Sequence, residues 1–452
     1  MKRWKLILTV TVLAAALIVL TTSVLAYSTE DEIIAKCEGL YGAVFGVPNS
    51  EPFGPCQWDM AIINAGTESY AHATGKGVTV GVIDSGVDID HPDIAPNLDL
   101  ERSCSFIFDD TPTANPAEIA NGDCSNKEAV RDRNGHGSHT ASTIAAPVNG
   151  FGIAGVAPEA TIVALKVCTE VGYCFADSVA AALRYAGDND IDIVNLSLFA
   201  DPYLYYCKSE AEQRAILKEL ESAARYAQQR GVLIVASAGN EVEDLQHPGI
   251  DTTSPDWPPG SEEIRDVENN CRVAPAELPG VMTVSATGPV GYPGYDLWIA
   301  DYSSVGMSRV DVTAPGGDYN RATGTRQDAV LAALSNTSDP DNGIWDFFDF
   351  LEQNGGPGFD GLTVLANDGS RYGYLNGTSM SSPHAAGVAA LVKENHPTWG
   401  PGAIKAAVQR TAQHLDCPTV QLTGDPRHCY GNGGRTSFFG HGLVDAAAAA
   451  EE

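Results

Sequence analysis

Five short apolar runs constrain the fold of this chain more than any other feature of its sequence. They are rich in β-branched residues, are mostly bounded by Gly, Pro or Asp, and span Val78–Ile83, Ala160–Val167, Asp192–Leu198, Val232–Ala238 and Val281–Ala286. Runs of this length and composition suit strands that are buried on both faces of a parallel sheet.

Segments with helical spacing lie between and after these runs. The predicted helices are Ala176–Gly187, Ser209–Arg230, Ser382–Asn395 and Ala403–His414. Such an alternation predicts an α/β fold with a doubly wound, mostly parallel central sheet and helices on both faces. In this architecture ligands are expected at the carboxyl ends of the strands.

The first 26 residues have the pattern of an export signal. Three basic residues among the first five precede an apolar run over 6–20, and small residues lead to Ala26, where cleavage is expected. An uncleaved anchor is the alternative, because 6–26 is just long enough to cross a bilayer. The Thr and Ser residues that dilute the run favour a cleaved signal and a secreted, extracellular protein.

All ten Cys residues follow this leader. An even number of Cys in an exported chain favours disulfides. Spacing does not prove connectivity, but neighbours in the sequence suggest the pairs Cys37–Cys56, Cys104–Cys124, Cys168–Cys174, Cys207–Cys271 and Cys417–Cys429. Zinc binding is the weaker alternative, because the chain has no CxxC pair.

The chain is strongly acidic, with 58 Asp and Glu residues against 27 Lys and Arg and a formal net charge of −31. This balance argues against a general field that binds nucleic-acid phosphates and against adhesion to anionic lipid. We therefore expect neither nucleic acid nor, after signal cleavage, a membrane among its partners.

The chain divides into a signal (1–26), a short N-terminal arm (27–56) and one α/β domain (57–450). The arm contains two Cys and turn-forming residues, with little sustained periodicity. Three stretches interrupt the domain near 106–133, 242–271 and 318–374, and each is rich in Asp, Pro, Gly or Asn. Each stretch is interpreted either as a surface insertion or as a rim of the site that sets specificity.

Four segments carry candidate catalytic side chains. Asp84 follows an apolar run at a Gly turn, and His136 stands between two glycines at a predicted helix start. Ser379 lies among small residues before an apolar helix, with Pro383 expected in the first turn. Asn240 ends a buried strand. Taken singly, each also fits an ordinary turn or helix cap.

Taken together, VGVIDSG at 80–86, GHGSHTA at 135–141, VASAGN at 235–240 and GTSMSSPH at 377–384 resemble the subtilisin-like serine peptidases, over roughly 57–446. Their acidic, basic and nucleophilic residues follow the order Asp, His, Ser in the chain. The resemblance implies that Ser379 attacks the scissile carbonyl, His136 transfers its proton and Asp84 orients the imidazole. It also implies that Asn240 and the backbone N–H of Ser379 hold the oxyanion.

The same resemblance assigns two walls of a substrate cleft. The edge expected to pair with an extended peptide is formed by Ser197, Leu198 and Phe199. The opposite wall of the primary pocket is formed by Ser237, Ala238 and Gly239. The family usually has Gly where this chain has Phe199, so the preference of the pocket stays open.

Members of the family need no cofactor for catalysis and often bind structural calcium. Asp93 and Asn149 occupy the places of one family calcium site, and backbone carbonyls with Gln57 would complete an oxygen shell. The alternative is an ordinary Asp turn and an Asn loop.

The predicted function is that of a secreted, monomeric serine endopeptidase that hydrolyses peptide bonds of proteins through an acyl-enzyme. Its arm is too short for the family's usual inhibitory propeptide and is expected to remain attached. Two alternatives stay open. One is a sedolisin-type acid peptidase, which replaces the His with Glu, and the other is a non-catalytic binding module on the same scaffold.

Overall fold

A computed structural model of the chain describes residues 28–290, 296–318, 326–336, 362–418, 425 and 427–452. The predicted export signal therefore lies outside the described residues. The helices are α1 (Glu30–Cys37), α2 (Ala43–Phe45), α3 (Trp58–Ile62), α4 (Thr67–Tyr70), α5 (His136–Ala145), α6 (Ala176–Asp188), α7 (Ala211–Gln229), α8 (Thr378–Asn395), α9 (Pro401–Thr411) and α10 (Ala446–Glu451).

The strands in the first half of the described chain are β1 (Ser28–Thr29), β2 (Thr79–Asp84), β3 (Cys104–Ser105), β4 (Thr161–Lys166), β5 (Ile193–Leu196), β6 (Tyr205–Cys207), β7 (Leu233–Ser237), β8 (Ile250–Asp251) and β9 (Arg265–Asp266). The later strands are β10 (Cys271–Val273), β11 (Met282–Val290), β12 (Asp296–Ile299), β13 (Val312–Pro315), β14 (Val330–Ala333), β15 (Thr363–Leu365), β16 (Arg371–Leu375), β17 (Gly431–Asn432) and β18 (Arg435–Thr436).

The central sheet is mostly parallel, as the sequence predicts. Its strand order is β12-β11-β7-β5-β2-β4-β3, with β13 also paired to β11. All of these pairings are parallel except that of β11 with β12. The five predicted strands correspond to β2, β4, β5, β7 and β11, so the apolar runs locate the centre of the sheet.

Helices cover both faces of this sheet, because alternate side chains of each strand enter different apolar clusters. Val80 and Val82 of β2 pack in a cluster with residues of α5, α8 and α9. Ile83 of the same strand packs in a second cluster with residues of α6 and α7. The doubly wound α/β prediction is therefore confirmed.

The helix that carries Ser379 begins earlier than predicted. Helix α8 begins at Thr378 instead of Ser382, so Pro383 lies inside the helix and not in its first turn. Proline has no N–H with which to bond the carbonyl oxygen of residue 379, four residues back. The hydroxyl of Ser197 donates to that oxygen instead, at 2.7 Å.

The arm is more regular than its lack of periodicity suggested. Helix α1 starts with a capping box, in which the side chains of Thr29 and Glu32 bond each other's backbone N–H groups. Strand β1 pairs in parallel with β15. An eight-residue helix is too short to give a periodic signal, which explains why the sequence did not reveal it.

Two of the three interrupting stretches, 242–271 and 318–374, contain strands. The described part of 318–374 includes β14, β15 and β16, which form a four-stranded sheet with β1 in the order β1-β15-β16-β14. Residues 319–325 and 337–361 of the predicted insertion lie outside the described residues. The stretch 242–271 is tied to the domain by the pairing of β6 with β10.

The five suggested disulfides are confirmed: Cys37–Cys56, Cys104–Cys124, Cys168–Cys174, Cys207–Cys271 and Cys417–Cys429. The zinc alternative is wrong for these residues, since every Cys is in a disulfide. Within the part of the chain that the structure describes, no helix is long and apolar enough to cross a membrane.

Candidate active site

A cavity of about 310 Å³ lies beside the carboxyl ends of β2, β5 and β7. Its lining includes all four predicted chemical residues, Asp84, His136, Asn240 and Ser379. Asp84 is the last residue of β2, His136 opens α5, and Ser379 is the second residue of α8. The fold therefore brings together side chains that are up to 295 positions apart (379 − 84).

Asp84 and His136 form a close pair. Nδ1 of His136 lies 2.8 Å from Oδ1 and 3.0 Å from Oδ2 of Asp84. Asp84 is 1% exposed, whereas a quarter of the His136 side chain (25%) reaches solvent. An Nδ1–H that donates to this carboxylate leaves Nε2 as the basic nitrogen.

The charge of His136 is controlled by its neighbours. Burial disfavours the imidazolium, but the negative charge of Asp84 and its hydrogen bond outweigh burial, and Asp132 adds to them. The pKa of His136 is therefore raised above its ordinary value.

Asp132 was missed by sequence reasoning, although it organises the start of α5. It is fully buried, and its Oδ1 accepts from the backbone of Gly135 at 2.8 Å while its Oδ2 accepts from the hydroxyl of Ser138 at 2.6 Å. Burial raises its pKa, although the nearby Lys166 opposes the rise. Lys166 in turn pairs at 2.8 Å with Glu118, and both are fully buried.

Ser379 is positioned by a short network beneath it. Its Oγ donates to the carbonyl of Ser197 at 3.2 Å, and the Ser197 hydroxyl lies 2.8 Å from that of Ser382. No hydrogen bond joins the described side chains of Ser379 and His136, although both line the cavity. Catalytic hydrogen bonds are often long in a ligand-free site and shorten when substrate binds.

The side-chain amide of Asn240 is oriented by Thr378, the first residue of α8. Its Oδ1 accepts from both the backbone N–H and the hydroxyl of Thr378, at 2.9 Å each. Its NH₂ group is therefore the end that is left for a ligand. A Cβ placed on Gly377 would lie 3.6 Å from the N of Ser379 and 3.7 Å from both Nδ2 and Oδ1 of Asn240, so the Asn240 amide and the Ser379 N–H border the same space.

Five of the six residues predicted to form the walls of a substrate cleft line this cavity. The cavity is lined by Ser197, Leu198, Phe199, Ser237 and Gly239. Ala238 is the exception, because it is fully buried and its side chain packs in an apolar cluster with Leu245 and Val273. Phe199 packs against the same cluster from the cavity side.

The stretch 242–271 also reaches this cavity, through Asp256. Neither of the other two stretches contributes a described residue to the lining. For 242–271, the interpretation as a rim of the site therefore fits better than that of a surface insertion. Sequence composition alone could not distinguish these two interpretations.

The three predicted calcium ligands have different surroundings. Asp93 is fully buried, and its Oδ2 accepts from Tyr372 at 2.7 Å and from the Ile153 N–H at 3.0 Å. Gln57 bonds Asn49 and the backbone of residue 154. The exposed Asn149 accepts from the N–H two residues later in its own loop, at 2.9 Å.

A second carboxylate, Glu51, lies near Asp93 and was missed from the sequence. It is 3% exposed, and its Oε2 accepts from the Phe151 N–H at 2.6 Å. Oδ1 of Asp93 and Oε1 of Glu51 are buried without a hydrogen-bond partner among the described residues. Burial raises the pKa of Asp93 to about 7, and the charge of Glu51 contributes. The described residues include no cluster of three or more His, Cys, Asp or Glu that could hold a metal ion.

Comparison with known proteins gives consistent matches over most of the chain. The subtilase family model matches residues 75–442. Subtilisin Savinase from Lederbergia lenta is 28% identical over 392 residues, which cover 87% of this chain and 97% of that protein. M-protease from Shouchella clausii (strain KSM-K16) is also 28% identical, over 87% of this chain and 69% of that protein.

Solved structures show the same fold. Fervidolysin from Fervidobacterium pennivorans, a keratinolytic enzyme related to subtilisin, is 25% identical with a TM-score of 0.58, over 89% of this chain and 46% of that chain. The nisin leader peptidase NisP from Lactococcus lactis is 22% identical with a TM-score of 0.59, over 87% of this chain and 93% of that chain. At 22% identity, the likeness to NisP shows a shared fold and nothing further.

Proposed function

The chain belongs to the subtilase family of serine endopeptidases, and from this we propose that Asp84, His136 and Ser379 carry out its hydrolysis of peptide bonds. The observation that most supports the proposal is the pairing of His136 with a buried carboxylate beside a cavity that Ser379 shares. Such an arrangement serves a base that must gain and release a proton during each turnover.

The reaction starts when Oγ of Ser379 attacks the scissile carbonyl carbon while Nε2 of His136 takes its proton. Asp84 stabilises the resulting imidazolium, which then protonates the leaving amine as the C–N bond breaks. Water, deprotonated by His136, attacks the acyl-enzyme and releases the second product. Ser379 regains its proton, so no external redox partner or metal is needed to balance the reaction.

The tetrahedral intermediate places a negative charge on the former carbonyl oxygen. The NH₂ group of Asn240 and the backbone N–H of Ser379 border one space and would donate to it. One such donor is worth about 3 kcal/mol, which is the size measured for the corresponding Asn in subtilisin. The edge formed by Ser197, Leu198 and Phe199 would hold the peptide as an added strand.

The pH dependence of hydrolysis tests this function and its alternatives. Because the pKa of His136 is raised above 6.5, kcat/KM on a quenched peptide should rise with pH through a midpoint above 6.5 as the imidazolium loses its proton. Maximal activity near pH 4 would instead favour a sedolisin-type peptidase. Complete inactivity across the pH range would favour a non-catalytic scaffold.

We further propose that the enzyme is exported and acts as a monomer, with its arm attached and without nucleic acid or membrane as a partner. Support for a retained arm comes from its contacts with the domain. The hydroxyl of Tyr41 donates to Asp328 at 2.7 Å, and the disulfide Cys37–Cys56 closes the arm on itself. The acidic charge supports the exclusion of nucleic acid.

Structural calcium is the metal that fits these residues best. Asp93 and Glu51 supply hard oxygen ligands, and each keeps one buried oxygen that has no partner among the residues the structure describes. Asn149 and Gln57 carry the amide oxygens that would join them, and Oε1 of Gln57 now accepts from Asn49 and from the backbone of residue 154. Calcium would neutralise two adjacent buried carboxylates there, and it would take no part in the catalytic steps.

Adding calcium to chelator-treated protein should raise its Tm, because an ion that binds only the folded state stabilises it. Calcium at about 100 times its Kd would add about 2.7 kcal/mol. Glu51→Gln should lose most of this response, whereas Glu68→Gln, a change at an exposed site on α4, should keep it. An equal Tm with calcium and with excess chelator would refute the calcium proposal.

A further inference from the structure

The cavity beside Ser379 is acidic. Four carboxylates line it, those of Asp84, Asp201, Glu241 and Asp256, and its described lining includes no Lys or Arg. Asp84 is paired with His136. The other three carboxyl groups make no ion pair among the described residues, so the described lining offers them no Lys or Arg partner.

Asp201 and Asp256 are held side by side by backbone contacts. Asp201 is 3% exposed, its carboxylate accepts from the N–H of Cys174, and its own N–H donates to the carbonyl of Cys174 at 3.0 Å. The N–H of Asp256 donates to the carbonyl of Pro202 at 3.1 Å. The two carboxylates therefore come from separate segments but are fixed at one place in the cavity wall.

Aromatic side chains next to Asp256 also hold its backbone in place. The ring of Trp257 meets that of Tyr173 edge-on, with 5.2 Å between centroids, and the Tyr173 hydroxyl donates to the carbonyl of Asp256 at 3.4 Å. Oδ1 of Asp256 is buried and has no hydrogen-bond partner among the described residues. A rigid carboxylate with an unsatisfied oxygen is prepared for a donor that the substrate would bring.

Asp201 and Asp256 lie close enough to influence each other's pKa. Burial raises the pKa of Asp201 to about 9, and its hydrogen bond with Asp256 contributes. The pKa of Asp256 is also raised by burial, although its hydrogen bond with Asp201 opposes the rise. A guanidinium or ammonium group brought by a substrate would favour the ionised form of this pair.

Glu241, which directly follows Asn240, brings a further carboxyl group to the lining of the cavity. A Cβ placed on Gly239 would lie 2.5 Å from Oε2 of Glu241, so this carboxylate covers the wall formed by Gly239. Burial raises the pKa of Glu241. Carboxyl groups thus line the cavity both at the residue after Asn240 and at the Asp201–Asp256 pair.

We propose that Asp201, Glu241 and Asp256 make this enzyme select peptides with an Arg or Lys side chain within four residues of the bond that is cleaved. The inference rests on the proposed function, because it assumes that the cavity beside Ser379 is the substrate cleft. A fixed carboxylate in a specificity pocket selects cationic side chains by charge and by hydrogen bonds.

The test starts with a cleavage-site profile of a digested proteome, which should show Arg and Lys enriched at one position near the cleaved bond. Matched quenched peptides then carry Arg, citrulline or Glu at that position, because citrulline keeps the shape of Arg without its charge. We expect kcat/KM for the Arg peptide to exceed that for citrulline by about 10-fold or more. The Glu peptide should be the poorest of the three.

Two variants assign the effect to the carboxylates. Asp256→Asn and Glu241→Gln should each lower the Arg-to-citrulline ratio of kcat/KM at least threefold, whereas Glu210→Gln, a change at an exposed site before α7, should preserve it.

Equal kcat/KM for the Arg and citrulline peptides, in an enzyme that still labels at Ser379, would overturn the inference alone. A preference that survives in both variants would overturn the assignment to these residues. Absence of both cleavage and labelling would overturn the proposed function together with the inference.

Discussion

Ser379→Ala should lower kcat on a peptide substrate on the order of a million-fold, the size of loss that subtilisin shows without its own nucleophile. The change removes the only oxygen that can form the acyl-enzyme in the proposed mechanism. The fold should survive it, because the Ser379 hydroxyl donates a single hydrogen bond of 3.2 Å, to Ser197. Residual hydrolysis should come from the oxyanion donors and from substrate binding alone.

Steady-state kinetics of the purified variant, with its Tm as a check of folding, would measure this loss. Ser209→Ala is a matched control, since Ser209 is exposed and lies before α7. It should hydrolyse the substrate at the normal rate. A Ser379→Ala variant that has a normal Tm and still turns over within tenfold of the unchanged enzyme would show that Ser379 is not the nucleophile.

Asp84→Asn should lower kcat/KM by about 10⁴-fold. The amide NH₂ of Asn would face Nδ1 of His136 and favour the tautomer whose Nε2 carries the proton, so the ring could no longer accept one from Ser379. Loss of the Asp84 charge should also lower the pKa of His136, because that charge raises it in the unchanged enzyme. The acidic limb of the pH profile should therefore move to lower pH.

Profiles of kcat/KM between about pH 5 and 9 would measure both effects. Asp90→Asn is the control, because the Asp90 side chain is 74% exposed and its surface pair with Arg131 should contribute little. This control should keep both the rate and the position of the acidic limb. An Asp84→Asn variant whose rate is normal, or whose limb moves to higher pH, would contradict the role given to Asp84.

The sequence predicted the central sheet well because the signal is local. Strands buried on both faces need β-branched residues along their whole length, and β2 and β7 match their predicted runs within a residue or two. The candidate catalytic residues were also found, because short motifs surround each of them. Glycines such as Gly137 are required there, since a Cβ on it would lie 2.0 Å from the carbonyl of Gly86.

The missed features depend on contacts between distant segments. Asp132, Glu51 and Asp256 are ordinary loop acids in the sequence, and only the fold shows that the first two are buried and that Asp256 lines the cavity. The pair of Lys166 and Glu118 is similar, because its two members are 48 positions apart (166 − 118) and meet only in the interior. Pro383 was placed in the first turn of its helix by a general preference that this chain does not follow.

The central claim is that Ser379 is a nucleophile activated within the cavity that also contains His136 and Asn240. Its most direct test is to label the purified protein with a fluorophosphonate and to locate the adduct by peptide mapping. We predict one adduct per chain, on Ser379, which forms in step with the loss of hydrolysis and is absent from Ser379→Ala. An adduct on another residue, or full inactivation without any change at Ser379, would contradict the account.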